Sequence, residues 1–302
     1  MKRLLKGAGL TLGGVVLSAL ALFTVANVKA SSRLGQKFET HRIGLPLPEA
    51  SDTAAIARGE HLAVARYGCT ACHGGNLAGG VMIDSPPIGS IFGPNLTPGR
   101  GSRTLSYTMA DWDRIVRHGI KLDGSPAVMP ADDFFKMSDA ELSDIVAYVR
   151  AAPPVDAEVK TPKFGLVGTF LVGFGKFPIS AEHQPAAEHA SEPPATANTL
   201  QFGEHLVATC ITCHRSNLAG GRMPFGPPDW PAAANLTPHT TGLGDWSYDD
   251  FERALTTGVS KDGRKLREPM TAVLPAAKAM LPTERQAIWT YLRSLAPATS
   301  NP

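Results

Sequence analysis

The four cysteines of this 302-residue chain form two close pairs, and a histidine directly follows each pair. The two groups are Cys69, Cys72 and His73, and Cys210, Cys213 and His214. Two thiols at this spacing can add to the vinyl groups of a haem, and the adjacent imidazole can bind the iron. The pattern therefore predicts two covalently attached haem c groups, in which the four cysteines are the attachment residues and both histidines are axial iron ligands.

Zinc binding and dithiol redox chemistry are the alternatives for such a motif. Thiolates and imidazoles also bind zinc, but each half of the chain offers two cysteines and one adjacent histidine rather than four ligands. A thioredoxin-like pair would follow a strand in a βαβ unit, and no such pattern precedes either motif. Both alternatives stay open, while the duplication of the motif favours haem.

The two halves of the sequence resemble each other with a period of about 140 residues, which is the size of a domain rather than of a solenoid repeat. The tetrapeptide Gly-Glu-His-Leu at 59–62 recurs at 203–206, and Asn-Leu-Thr-Pro at 95–98 recurs at 235–238. A duplicated domain accounts for these matches. We refer below to residues 54–153 as the first copy and to residues 199–297 as the second copy.

Helical periodicity predicts that each copy consists of helices joined by loops rich in glycine and proline. The expected helices are 54–66, 109–118 and one beginning after Ser138 in the first copy, and 199–208, 248–257 and one beginning near Pro282 in the second. No strand pattern competes with them. The prediction is an all-α fold with two small domains in tandem, each wrapped around a flat apolar cofactor.

The segments outside the two copies are an N-terminal region and a linker. Three basic residues precede an uncharged run at 7–28 that is long enough to cross a bilayer. Residues 1–30 are therefore predicted to be a membrane anchor or a cleaved signal peptide, with the rest of the chain on the periplasmic side. Residues 31–53 are a linker, residues 298–302 a tail, and residues 154–198 a linker rich in Pro and Ala. Its apolar stretch at 164–175 is expected either to pack along the seam between the domains or to contact lipid.

The sixth iron ligand is expected to come from a loop far along each copy, and methionine is the residue type sought. Met129 and Met270 each follow an Asp-Gly pair by a few residues, six after Asp123 and eight after Asp262, so they are the predicted axial ligands. Met137 also has a partner, Met280, but its place before the last helix suits packing. His61 and His205 recur as well and are expected to form hydrogen bonds or lie on the surface, because they precede the haem motif on the first helix.

The Asn-Leu-Thr-Pro loop offers amide and hydroxyl groups that could hydrogen-bond a haem propionate. The residues concerned are Asn95, Thr97, Asn235 and Thr237. The alternative is that these side chains serve the local chemistry of a turn.

The chain resembles the membrane-associated multi-haem cytochromes c of Gram-negative bacteria, in particular the cytochrome subunits of periplasmic alcohol, aldehyde and sugar-acid dehydrogenases. The resemblance is carried by the segments 59–62, 69–73, 76–80, 94–98, 128–130 and 147–150. It implies class I-like cytochrome c domains, low-spin haem with histidine and methionine ligands, and electron transfer from a dehydrogenase toward quinone or a terminal oxidase. Two features depart from the family: members typically have three haem domains, and Pro269 precedes Met270 instead of following it.

The sequence thus predicts a dihaem electron-transfer protein of a periplasmic respiratory chain rather than an enzyme. The alternatives are a dihaem peroxidase and a haem-based sensor or ligand-binding protein, each of which needs an open iron position. The formal charge of +2 and the scattered basic residues argue against nucleic-acid binding. The expected partners are a redox donor, a redox acceptor and the membrane.

Overall fold

The computed structural model describes residues 2–39, 43–158, 160–183, 189–223 and 229–301. The first copy contains α2 (Thr53–His61), a π-helical turn (Leu62–Arg66), α3 (Cys69–His73), α4 (Met109–His118) and α5 (Asp139–Ala151). The second contains α7 (Leu200–Val207), α8 (Ile211–His214), α9 (Tyr248–Thr257), α10 (Met270–Ala279) and α11 (Pro282–Ser294). Outside the copies lie α1 (Lys2–Gly35) and α6 (Leu166–Gly173). The prediction of two mostly helical copies is confirmed.

Capping residues define the middle and last helices. Thr108 and Ser247 form capping boxes at the start of α4 and α9, and Ser138 forms one with Glu141 at the start of α5. Left-handed glycines, Gly119 and Gly258, end α4 and α9. The predicted bounds of α4 and α9 therefore agree with the structure.

The first and last helices of each copy touch through a glycine. A Cβ atom on Gly59 would lie 1.9 Å from the carbonyl oxygen of Asp144, and one on Gly203 would lie 2.1 Å from that of Ala287. No side chain larger than hydrogen fits there, which explains why the repeated tetrapeptide begins with glycine. The apolar face of α5 completes the core of the first copy, because Leu142 and Val146 have no exposed surface.

The all-α prediction is wrong in one respect, because the described residues include a small antiparallel sheet. Strands β1 (Gly80–Ser85) and β2 (Gly89–Gly93) form a hairpin after the first haem motif, and β3 (Lys163–Phe164) pairs with β2. These strands are too short and too rich in glycine to show a clear period of two. Long-range packing specifies them instead, since a Cβ on Gly93 would lie 2.1 Å from the carbonyl oxygen of Cys72.

The segment predicted as a linker is also more structured than expected. It supplies β3 and α6, and α6 packs against α1 and the hairpin. The ring centroids of Phe23 and Phe170 are 6.2 Å apart, and Ala26, which lies against Gly173, is fully buried. The part of α1 from Gly13 to Gly35 is long and apolar enough to cross a membrane.

Candidate functional site: two paired haem-attachment motifs

Each haem motif is a short helical segment that places two thiols beside an imidazole. In the first copy the motif is α3, where Cys69 and His73 lie one helical turn apart. In the second copy Cys210 ends a 3-10 turn, and Cys213 and His214 lie on α8. All four cysteines are free. Burial raises the pKa of Cys69 and of Cys210 to about 12, whereas a nucleophilic redox dithiol needs a lowered pKa.

A backbone carbonyl orients the histidine of each motif. Nδ1 of His73 donates a hydrogen bond to the carbonyl oxygen of Pro94 over 2.9 Å, and Nδ1 of His214 donates to Ala234 over 2.7 Å. Burial lowers the pKa of both imidazoles, so they are neutral at neutral pH. With Nδ1 holding the proton, Nε2 is the nitrogen left to bind a metal, and the ring is fixed in direction.

These two carbonyl groups were not predicted from the sequence, although the repeat contains a signal for them. Pro94 and Ala234 each stand directly before the repeated Asn-Leu-Thr-Pro segment. Every residue has a backbone carbonyl, so residue types do not reveal which carbonyl accepts a hydrogen bond. The repeat indicated where the loop lies, but not that its first carbonyl orients the histidine.

The Asn-Leu-Thr-Pro loop is held by its own side chains in the same way in both copies. Oδ1 of Asn95 accepts hydrogen bonds from the amide and hydroxyl of Thr97, and Nδ2 donates to the carbonyl oxygen of Val155 over 2.8 Å. Asn235 and Thr237 repeat this network with Ala298. In each copy the loop is therefore hydrogen-bonded to the segment that follows the last helix. The predicted contact of these four residues with a haem edge stays a prediction.

The two predicted methionine ligands lie in different local structures. Met129 is half-buried against the core of the first copy, in the loop before a 3-10 turn (Ala131–Asp133). Met270 is half-buried too, but it is the first residue of α10, which the sequence did not predict. Met137 is buried in the first core and Met280 packs against the second, as expected for packing residues.

Both copies match family models of known cytochromes. Residues 54–149 match the family model of the cbb3-type cytochrome c oxidase subunit III, and residues 201–296 match that of cytochrome c. The chain contains two cytochrome c domains. They lie in the first and second copies, and each is expected to bind one covalent haem c.

Relatives that match most of the chain include cytochrome subunits of dehydrogenases and a dihaem cytochrome. The chain is 30% identical to the fructose dehydrogenase cytochrome subunit of Gluconobacter japonicus, over 92% of this chain and 59% of the relative. It is 31% identical to the cytochrome c subunit of the alcohol dehydrogenase (quinone) of Gluconacetobacter polyoxogenes, over 82% and 57%. A dihaem c-type cytochrome of Cereibacter sphaeroides is 24% identical over 80% of this chain and 86% of its own length. The chain thus spans less than two thirds of the two dehydrogenase subunits.

The residues of each cytochrome domain fit a covalently attached haem. The two thiols are free to form thioether bonds, and Nε2 of the carbonyl-held histidine is available as an axial ligand. The wall around each motif is apolar, because the cores of both domains lie beside it.

Equivalent residues of the two cytochrome domains contact each other reciprocally. Nε2 of His61, on α2, lies 2.9 Å from Oε1 of Glu284 on α11. Nε2 of His205, on α7, lies 2.9 Å from Oε1 of Glu141 on α5. In each contact the histidine of one domain meets the glutamate of the other. An interface in which equivalent residues make the same contact twice has approximate two-fold symmetry. Of the two roles predicted for these histidines, hydrogen bonding or a place on the surface, the structure shows hydrogen bonding.

Arg66 joins the two halves of this interface. Its Nε atom donates to Glu284 over 2.6 Å, and NH1 donates to Glu141 over 2.9 Å. The carboxylate side chains are at most 3% exposed, and Arg66 is 9% exposed. Burial is the largest single effect and raises the pKa of both carboxyls. The hydrogen bonds from His205 and Ser138 to Glu141, and from His61 and Arg66 to Glu284, together outweigh it and hold both pKa values below the usual one. The interface thus contains a closed network of buried charges.

The segment that follows each predicted methionine ligand packs against the haem motif of the other domain. Asp133, in the turn after Met129, accepts hydrogen bonds from Thr212, which lies between the two cysteines of the second motif. On the other side α10 packs on the π-helical turn before the first motif, and Ala276 lies beside Gly68. Both motifs therefore lie beside the interface between the domains.

Proposed function

We propose that the chain is a dihaem electron-transfer cytochrome that works with a membrane-associated dehydrogenase. One haem would be attached at Cys69 and Cys72 with His73 and Met129 as axial ligands. The other would be attached at Cys210 and Cys213 with His214 and Met270. The haem iron supplies reversible one-electron chemistry when it is bound, and the protein holds the ligands and excludes water.

The reciprocal interface is the observation that carries this proposal. Both domains orient their axial histidine in the same way, and each places its methionine segment against the motif of the other. Two similar centres, each beside the interface with the other domain, suit a relay, whereas a peroxidase needs one specialised and open centre. The buried ion pairs of Arg66 with Glu141 and Glu284 hold the two domains against each other.

The donor class follows from the relatives. Two of them are named as subunits of fructose dehydrogenase and alcohol dehydrogenase (quinone). We infer a dehydrogenase of alcohols, sugars or their oxidised products as donor, and quinone or a terminal oxidase as acceptor.

Reduction of haem by substrate in native membranes tests the function. Membranes that contain the chain are compared with membranes of cells that lack it, after addition of an alcohol, an aldehyde, a sugar or a sugar acid. We expect one substrate class to produce reduced haem c and oxygen uptake that depend on the chain. If no substrate distinguishes the two preparations, the proposed role is wrong.

The N-terminal helix is proposed to be a retained anchor on the periplasmic face of the membrane. Several side chains of α1 are part of the folded protein, since Ala26 is buried under α6 and Arg33 forms an ion pair with Glu182. Other apolar side chains of α1, such as Val15 and Leu17, are more than half exposed and suit a lipid environment. Cleavage after Ala30 would remove Phe23 and Ala26, which pack against α6.

The mass of the mature protein tests the anchor. We expect the intact mass to include residues 1–30 together with two haems, and the protein to stay with the membrane after an alkaline carbonate wash. A mature protein that begins at Ser31, or that the wash releases, would contradict this prediction.

A further inference from the structure

A buried cluster in the first cytochrome domain has no role in the haem sites. It consists of Asp113 and His118 on α4 and of His189 in the segment between the domains. The side chains of Asp113, His118 and His189 are 1%, 0% and 4% exposed. Two imidazoles and a carboxylate that converge away from water are an unusual group to bury without a shared partner.

The distances within the cluster match those of a metal site. The two Nε2 atoms are 3.1 Å apart, and Oδ1 of Asp113 lies 3.7 Å from Nε2 of His118 and 3.8 Å from Nε2 of His189. A point equidistant from these three atoms is about 2.1 Å from each, which is the length of zinc bonds to imidazole nitrogen and carboxylate oxygen. The carboxylate is too far from either ring for a hydrogen bond.

The orientation of the His189 ring leaves one of its nitrogens for a cation. The His189 ring donates a hydrogen bond to the backbone carbonyl of Phe135. A ring that donates to a carbonyl through one nitrogen and offers the other is the usual form of a metal-binding histidine.

The charges around the cluster favour a cation. Nε of Arg117 donates to Oδ1 of Asp113 over 2.7 Å, and its NH1 donates to Asp139 over 2.8 Å. Two carboxylates therefore face one guanidinium, which leaves a formal charge of −1. His118 is also the last residue of α4, where the helix dipole is negative.

We propose that Asp113, His118 and His189 bind a divalent transition-metal ion, for which zinc is the best fit, and that this ion fastens the interdomain segment to the first cytochrome domain. The site joins residues 118 and 189, and the chain after His189 continues along the start of α5, where the amide of Asp139 donates to Ala190. The second domain has no equivalent, because Glu252 and Thr257 stand in place of Asp113 and His118. Glu252 pairs there with Arg285.

Zinc analysis of the haem-loaded full chain, prepared without a histidine tag, tests the site. After incubation with zinc and dialysis we expect about one zinc per chain besides the two haem irons, bound by nitrogen and oxygen at about 2.0 to 2.1 Å in X-ray absorption at the zinc edge. His118→Thr, which introduces the residue of the second domain, and His189→Gln should each lower zinc at least about fivefold, as expected when one of three ligands is lost. His239→Gln, outside the cluster, should keep it.

Three outcomes would overturn the proposal. Wild-type protein that retains no zinc would show a hydrogen-bonded histidine pair and no metal site. Zinc retained equally by both cluster variants would place it elsewhere. A sulfur shell at about 2.3 Å would place it on the cysteines of chains that lack haem. Haem content is measured for every variant, and a variant with normal haem but little zinc supports the site.

Discussion

Replacing Met129 by alanine is expected to remove about half of the absorption band at the red end of the spectrum that reports iron–sulfur bonding in the oxidised protein. Alanine has no atom that can reach an iron, and the other methionines of the first core, Met109 and Met137, are buried packing residues outside this loop. The iron of the first domain would then bind added carbon monoxide, whereas both irons of the wild type should exclude it. Spectra of the purified protein in both redox states measure the change.

Met82 provides the matched control, because it lies in β1 and not in the loop that holds Met129. Met82→Ala should leave the band at full amplitude. A full band in Met129→Ala would refute the ligand assignment in the first domain. Met270→Ala should remove the other half of the band. If Met280→Ala removed that half instead, the axial ligand of the second domain would be Met280.

Replacing Arg66 by glutamine is expected to cost about 3 to 5 kcal/mol of unfolding free energy, the usual cost of removing one partner from a buried ion pair. Glu141 and Glu284 would then face each other in the interface without a cation of fixed charge. The two domains should lose their mutual support, so thermal unfolding followed by far-ultraviolet circular dichroism should separate into two transitions.

Arg58 is the control for this prediction. It lies on α2 and pairs with Asp144 on α5 within the first domain, and its side chain is 59% exposed. Arg58→Gln should therefore cost less than about 1 kcal/mol, because solvent screens a surface ion pair. Equal destabilisation by the two substitutions would show that the network around Arg66 does not hold the domains together.

Local patterns predicted those parts of the fold that local chemistry determines. The helices α4, α5, α9 and α11 carry their own caps or a proline at the first turn, so their starts are visible in the sequence. The hairpin and α10 were missed. In the hairpin, a glycine is needed at position 93 because the backbone of Cys72 leaves no room for a side chain. Helix α10 contains Pro275 and packs on the other domain. Neither element therefore has a clear local signal in the sequence.

The sequence by itself determined that haem is attached twice and that one domain is duplicated, because thiol and imidazole spacing within five residues is a local property. The tertiary structure decided which atoms act around those motifs. The carbonyls of Pro94 and Ala234 orient the histidines, and the exchange between His61, His205 and the two glutamates sets the domains face to face. His118 and His189 likewise meet across 71 positions of the chain. Contacts of this kind depend on how the chain closes over long distances, and residue spacing alone does not reveal them.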